Sequence, residues 1–200
     1  MEPKSVDSPT GKAPIVRLHT TDGDILLELF SEVAPRHVEN FLRLVQECFY
    51  DGLTFHRVVP GFIIQSGCPH GDGTAGPGYK LEAEFSDRPH GPGTLSMART
   101  QDPNSAGSQF FICLDRDNCR HLDGEYTVFG QVVEGMEVVE AIAASPLVHP
   151  ELGTPEDPPS IMHAWDESEN DDSDSSSDGS VDHTEVASAG SEESDAPPAA

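Results

Sequence analysis

Apolar and polar residues alternate along the first stretch of the chain. Ile15-Val16-Arg17-Leu18-His19 and Ile25-Leu26-Leu27-Glu28-Leu29 flank Thr21-Asp22-Gly23-Asp24. Asp22-Gly23 is a hairpin signal, so the pattern predicts two antiparallel strands joined by a tight turn. The period then changes. Pro35 stands where a first helical turn tolerates it, and Val38, Phe41, Leu42 and Val45 recur at helical spacing until Tyr50-Asp51-Gly52. Short strand-like runs follow at 54–59, 62–65, 94–98, 109–114, 127–133 and 160–165, separated by Gly- and Pro-rich turns. A second, shorter helix is expected over 136–144. Eight or so strands, two helices and no strand-helix alternation argue for a mainly β fold, an antiparallel barrel or sandwich with helices packed at its ends.

Composition divides the chain. From Asp166 to Ala200 there is no aromatic residue and no Leu, Ile or Met, so nothing in that stretch offsets the entropy of ordering. A disordered acidic Ser/Asp/Glu-rich tail is expected over 166–200 and a shorter disordered arm over 1–13, leaving one globular domain over 14–165. The 36 acids outnumber the 11 bases, the last base is Arg120, and the formal net charge is −25. So acidic a surface repels phosphate backbones and anionic headgroups, which argues against nucleic acid and membrane partners. No apolar run approaches a membrane span, and Cys48, Cys68, Cys113 and Cys119 are too few and scattered for a disulfide scaffold. The expectation is a cytoplasmic monomer.

Chemistry concentrates in Phe55-His56-Arg57-Val58-Val59-Pro60-Gly61-Phe62-Ile63-Ile64-Gln65-Ser66-Gly67. Strand alternation puts Phe55, Arg57 and Val59 on one face; after the Pro-Gly turn it puts Phe62 with Ile64 and Ile63 with Gln65, unless the turn twists the strand. An Arg and a Gln among aromatic residues make a pocket with one planar charged donor and one amide. The plainer alternative is an Arg paired with a surface acid.

This segment, together with Leu95-Ser96-Met97-Ala98-Arg99, Asn104-Ser105-Ala106-Gly107-Ser108-Gln109-Phe110-Phe111-Ile112 and Leu122-Asp123-Gly124-Glu125-Tyr126-Thr127-Val128-Phe129-Gly130, resembles the cyclophilin family of peptidyl-prolyl cis-trans isomerases. The resemblance runs from about Ala13 to about Trp165. It implies an eight-stranded antiparallel β-barrel capped by two α-helices, no cofactor, no metal, and proline-containing polypeptides as substrates. It also implies that Arg57 donates to the prolyl nitrogen of the twisted amide, and that Gln65 holds the substrate backbone and orients Arg57. Phe62, Ile63, Phe111, Leu122 and Tyr126 would cup the proline ring. Gly73, Ala98, Arg99, Thr100 and Gln109 would border the groove for the preceding residues, with Arg99 acting mainly through its backbone. A proline-peptide binding module without turnover is the rival reading; such a module needs the cup but not a fixed cation over the nitrogen.

The chain departs from the well-studied eukaryotic members in four places. His121 replaces Trp, Tyr126 replaces His, Ile63 replaces Met, and the turn at Thr100-Gln101-Asp102-Pro103 is one residue longer. Because His121 offers a smaller ring than an indole, weak binding of cyclosporin is expected.

Other patterns carry less. Gly71-Asp72-Gly73-Thr74-Ala75-Gly76 fits a dinucleotide fingerprint, but Pro77-Gly78 follows where a helix must start. Cys68-x-His70 and Cys119-x-His121 match no common zinc spacing, and no G-x-S-x-G elbow supports a hydrolase. Residues 174–185 approach a calcium-loop grammar without apolar helical flanks, and read instead as solvating acidic tail.

Overall fold

The computed structural model describes residues 13–167. All but Ala13 of the expected N-terminal arm, the calcium-like run and all but two residues of the expected tail lie outside them. Eight strands form one antiparallel sheet: β1 (Ile15–Thr20), β2 (Gly23–Leu29), β3 (Arg57–Val59), β4 (Ile63–Ser66), β5 (Thr94–Met97), β6 (Phe110–Cys113), β7 (Val128–Glu134) and β10 (Ile161–Asp166). Their order is β10-β1-β2-β7-β5-β6-β4-β3. The sheet's edges meet through irregular backbone: Phe55 N–H donates to Pro159 O (2.8 Å) and Ile161 N–H to Leu53 O (2.8 Å), around a single bridge between Thr54 and Ser160. The strand expected from Thr54 therefore starts only at Arg57. A separate small hairpin, β8 (Leu147–His149) with β9 (Thr154–Pro155), was not signalled by the sequence.

The first hairpin turns one position earlier than Asp22-Gly23 suggests. Thr20 pairs with Gly23, so Thr21 and Asp22 form the loop, held by Thr20 Oγ1 donating to Gly23 O (2.7 Å). Gly23 is required for another reason. A Cβ there would stand 2.9 Å from Val138 of the helix packed beneath, and its φ of +134° is open only to glycine.

Helix α1 (Pro35–Gln46) buries Val38, Phe41, Leu44 and Val45 against the sheet. It ends earlier than Tyr50-Asp51-Gly52. Cys48 adopts φ +53°, Cys48 N–H returns to Val45 O and Phe49 N–H to Leu44 O, a left-handed stop built on a non-glycine residue. Helix α3 (Met136–Ala143) lies where the second helix was expected. Between them comes a one-turn helix, α2 (Arg116–Cys119), running into a 3-10 turn at Arg120–Leu122. Polar Arg116-Asp117-Asn118 hides it from a periodicity search, and its start is fixed by the Asp115 side chain accepting from Asn118 N–H at 2.9 Å.

Asp166, expected in the tail, belongs to β10, where it pairs with Val16, and Glu167 hydrogen-bonds Arg17.

Candidate active site

Strands β3 and β4 set the site. Arg57 pairs with Gln65, Val58 with Ile64 and Val59 with Ile63. Side chains alternate across a strand, so Arg57, Val59, Ile63 and Gln65 share the outward face while Val58 and Ile64 enter the barrel. The expected grouping of Phe55 with Arg57 is wrong: Phe55 is fully buried in the barrel core, because residues 54–56 are not regular strand and the alternation breaks there. Phe62 likewise does not follow Ile64. It sits in the turn before β4 and packs beside Ile63 on the outer cluster.

Ten of the expected residues line one cavity of about 260 Å³. Arg57 and Gln65 stand at one wall; Ile63, Phe111 and Leu122 form the nearly buried floor; Phe62, His121 and Tyr126 stand around the rim, with Ala98 and Arg99 at the far side. Phe111 meets Tyr126 edge-on at 5.7 Å, and His121 stacks on Phe62 at 5.5 Å. The other expected residues, Gly73, Thr100 and Gln109, line an adjoining groove of about 420 Å³ that shares Gln65, Ala98 and Arg99 with the first. Residues 73–76 of the glycine run thus form a groove wall, with no helix after them.

A chain of amides fixes the cation. Arg57 Nη1 donates to Gln65 Oε1 at 3.3 Å, Gln65 Nε2 to Gln109 Oε1 at 3.0 Å, and Gln109 Nε2 to the carbonyls of Gly73 (2.9 Å) and Ala75 (2.8 Å). Each donor satisfies the next acceptor, so the Gln65 oxygen faces Arg57. Among the described residues no carboxylate lies within ion-pair distance of Arg57, despite the excess of acids. The surface-ion-pair alternative fails. The guanidinium keeps donors free beside an apolar floor, where a hydrogen bond is electrostatically stronger than in water.

Several supporting groups were not visible in the sequence. Arg99 Nε donates to Glu125 O (2.9 Å) and its guanidinium lies 4.4 Å from the Tyr126 ring centroid, so this side chain braces the rim. Behind Phe111 lies a clamp whose His90 and Ser96 are buried and whose Arg116 and Asp123 are part-exposed. Arg116 donates to both oxygens of Asp123 (3.0 and 2.6 Å), and Asp123 also accepts from His90 N–H (2.8 Å). His90 stacks on Phe111 at 6.1 Å with Nδ1 3.1 Å from Asp123 Oδ1 and Nε2 3.1 Å from Ser96 Oγ. A carboxylate only accepts, so the neutral ring carries its proton on Nδ1. Ser96, His90 and Asp123 thus stand in the order of a hydrolytic triad, but Ser96 and His90 are fully buried and no acyl group can reach them. The clamp holds the segment bearing His121, Leu122 and Tyr126 against the sheet. Arg116, with the His90 bonds, holds the Asp123 carboxyl far below its ordinary range, while burial pushes the His90 imidazole down. Burial does the same to His56, which sits inside beside Arg57 with neither ring nitrogen hydrogen-bonded.

Among the described residues no three His, Cys, Asp or Glu side chains gather as a metal site. The Cys68 thiol donates to Asp72 at 3.6 Å. No described helix is long and apolar enough to cross a membrane.

The family model for cyclophilin type peptidyl-prolyl cis-trans isomerase/CLD matches residues 15–164. The chain belongs to the cyclophilin family. It is 54% identical over 127 residues to a peptidyl-prolyl cis-trans isomerase of Synechococcus elongatus, covering 62% of this cyclophilin and 86% of the relative. Identity is 43% over 141 residues to a Helicobacter pylori enzyme of the same name, covering 68% and 85%. A crystal structure of a Cryptosporidium parvum cyclophilin type peptidyl-prolyl cis-trans isomerase superposes with a TM-score of 0.72 at 33% identity, over 77% of this cyclophilin and 97% of that chain. Another structure of that protein, crystallised in the presence of the dipeptide Ala-Pro, gives 0.71 at 34% identity over 76% and 98%.

Proposed function

We propose that this peptidyl-prolyl cis-trans isomerase works by holding a proline ring in the 260 Å³ cavity and donating from Arg57 to the prolyl nitrogen as the amide twists. Amide resonance sets a barrier of roughly 18–20 kcal/mol, and twisting breaks that resonance, leaving the nitrogen pyramidal with a free lone pair. A donor that meets the lone pair only in the twisted state lowers the barrier by differential binding. The guanidinium suits the task because it stays charged and its fork is planar. The observation that carries this reading is the Arg57 geometry, a cation without a carboxylate partner among the described residues, aimed by Gln65 beside an apolar floor. Phe111, Ile63 and Leu122 seat the ring, and the adjoining groove takes the residues before it. No bond breaks, so no cofactor is called for.

Exchange NMR on a short X-Pro peptide tests this. Arg57→Ala should lower the isomerisation rate by roughly two to three orders of magnitude, the cost typical of removing one preorganised donor, with an unchanged fold. Equal rates in both proteins would leave only a binding module.

The rim supports weak cyclosporin binding. His121 is exposed and presents a small ring over Phe62, where an indole would add a donor and a wider apolar face. Calorimetry should give a dissociation constant that His121→Trp tightens by about two orders of magnitude, the equivalent of a few kcal/mol, with little change in small-peptide turnover. Low-nanomolar binding by the unaltered chain would refute this role of His121. The unpaired cysteines suit a reducing, cytoplasmic setting, and the strongly acidic chain suits a monomer acting on polypeptides rather than nucleic acid or membrane.

A further inference from the structure

Two half-exposed histidines outside the proline cavity and its groove face each other across the β1–β10 ladder. His19 is the direct partner of His163, so their side chains share a face, with Cβ atoms about 4.5–5.5 Å apart. Each ring is held from its far side. His19 Nδ1 lies 2.7 Å from Asp24 Oδ1, and Asp24 sits on β2, across β1 from β10. His163 Nδ1 lies 2.7 Å from Asp51 Oδ2, and the segment carrying Asp51 runs along the other edge of β10, where Gly52 N–H donates to Ile161 O (2.7 Å) and Ala164 N–H to Asp51 Oδ1 (3.1 Å). The His163 ring also stacks on Trp165 at 5.4 Å, the next residue but one along the strand, which sets the ring across the strand direction with one edge to each side. A carboxylate only accepts, so each neutral ring carries its proton on Nδ1 and keeps its lone pair on Nε2. The Cδ2–Nε2 edges therefore turn inwards, towards each other, and among the described residues neither Nε2 has a hydrogen-bond partner.

We propose that His19 and His163 form a two-imidazole site for a divalent first-row transition cation, Zn²⁺, Ni²⁺ or Cu²⁺, bridging β1 and β10. Cations of this group take neutral imidazole, whereas Mg²⁺ and Ca²⁺ take oxygen ligands. A ligating histidine characteristically donates its other ring nitrogen to a carboxylate, which fixes the tautomer and raises the basicity of the ligating nitrogen; both rings already have that support. A cation about 2.1 Å from each Nε2 sits between rings carried by directly opposed residues. Charge favours it too. Asp24 and Asp51 flank the pair, and Arg17, the cation on the same face, is matched by Asp24 Oδ2 and Glu167. Among the described residues no third protein ligand gathers there, so water completes the coordination and the cation stays exchangeable. The isomerase reaction has no need of this metal. Its effect is mechanical: a cross-link between two strands that binds the folded pair and not the unfolded chain stabilises the fold by mass action.

Trp165 is the only tryptophan of the chain and stacks on one of the two ligands, so its emission reports on the site. The test titrates the full, reduced chain at neutral pH with Ni²⁺, a paramagnetic ion that quenches a nearby indole. We expect saturable quenching at one ion per chain and a urea midpoint that rises with Ni²⁺. His19→Gln and His163→Gln should each remove the saturable phase. Asp51→Asn, which keeps both ligands, should weaken binding roughly tenfold through the lost support of His163. His183→Gln, outside the described residues, should change nothing. Zn²⁺ should compete with Ni²⁺, and Mg²⁺ and Ca²⁺ should not. A Zn²⁺ titration of the unmutated chain followed by NMR should shift the His19 and His163 ring resonances together, which locates the site even if a variant fails to fold. Quenching that never saturates, quenching lost in His183→Gln or displaced by Mg²⁺, or Zn²⁺ shifts confined to other histidines would each overturn the proposal.

Discussion

The barrel interior and the wall of the proline cavity are both apolar, yet they are held differently. Inside, Phe41 meets Tyr50, Phe129 and Phe110 at 5.0, 5.3 and 5.5 Å, and all four are fully buried. Such residues are fixed by contact on every side, as in any close-packed core. The cavity wall has one side open to substrate, so burial alone cannot fix Phe111, Leu122 and Tyr126. Hydrogen bonds from behind supply the missing constraint: Arg116, Asp123, His90 and Ser96 clamp the segment, Arg99 braces Tyr126, and Cys119 Sγ donates to Phe62 O and so ties α2 to the rim. Strand β6 belongs to both regions. Phe110 and Ile112 face the barrel while Phe111 and Cys113 face the wall, so four consecutive residues are buried.

Phe41 separates the two regions most clearly. Phe41→Ala removes the ring at the centre of the aromatic group, and a truncation there should cost about 3–5 kcal/mol in urea unfolding. At temperatures where the variant stays folded, its isomerisation rate should be close to normal, because no Phe41 atom lines the cavity. A large rate loss with unchanged stability would show that the two regions are not separable.

How each region reads in the sequence follows from the same contrast. A contact-held interior obeys period: β1 and β2 alternate, α1 repeats every three to four residues, and both were legible, as was the eight-strand count. A hydrogen-bonded wall has no period. His90, Ser96, Arg116 and Asp123 come from separate loops and strands, and nothing in their spacing announces the clamp. α2 and the β8–β9 hairpin are too short to show a pattern, and the breaks at residues 54–56 and at the Pro60-Gly61 turn misassigned the faces of Phe55 and Phe62. Arg57, Gln65 and the aromatic cup came from resemblance in long motifs. That Arg57 lacks an acidic partner among the described residues could come only from three-dimensional proximity.

Acid should sharpen the contrast. Burial lowers the pKa of His56 and His90 beside the site and of His37 on α1, where the hydrogen bond His37 donates to Glu84 opposes the effect. The folded state therefore resists protonating these rings while the unfolded chain binds protons near the ordinary pH 6.5. Below that pH the unfolded state holds more protons, so stability falls as pH drops from about 6.5 toward the folded values. His90 and His56 lie under the clamp and the groove, and hydrogen exchange at pH 5 should show residues 70–76 and 116–126 losing protection before β1, β2 and β7. Uniform loss across the chain would contradict a wall held by neutral histidines.

The smallest effect concerns the end of β10, away from the proline cavity. Arg17 donates to Asp24 at 2.9 Å, pairs with Glu167, and lies 5.8 Å from the Trp165 ring centroid. A chain ending at Glu167 keeps all three contacts, whereas one ending at Trp165 loses the Glu167 pair and the pairing of Asp166 with Val16. Arg17 and Glu167 are both part-exposed, so the pair is worth less than about 1 kcal/mol after screening. Urea unfolding should find the shorter chain weaker by that order at low salt, with the gap narrowing as added salt shortens the screening length. Turnover should be identical, since neither residue touches the cavity or its clamp. A gap of several kcal/mol, or one indifferent to salt, would mean that the strand end stabilises the barrel through its backbone rather than through Arg17.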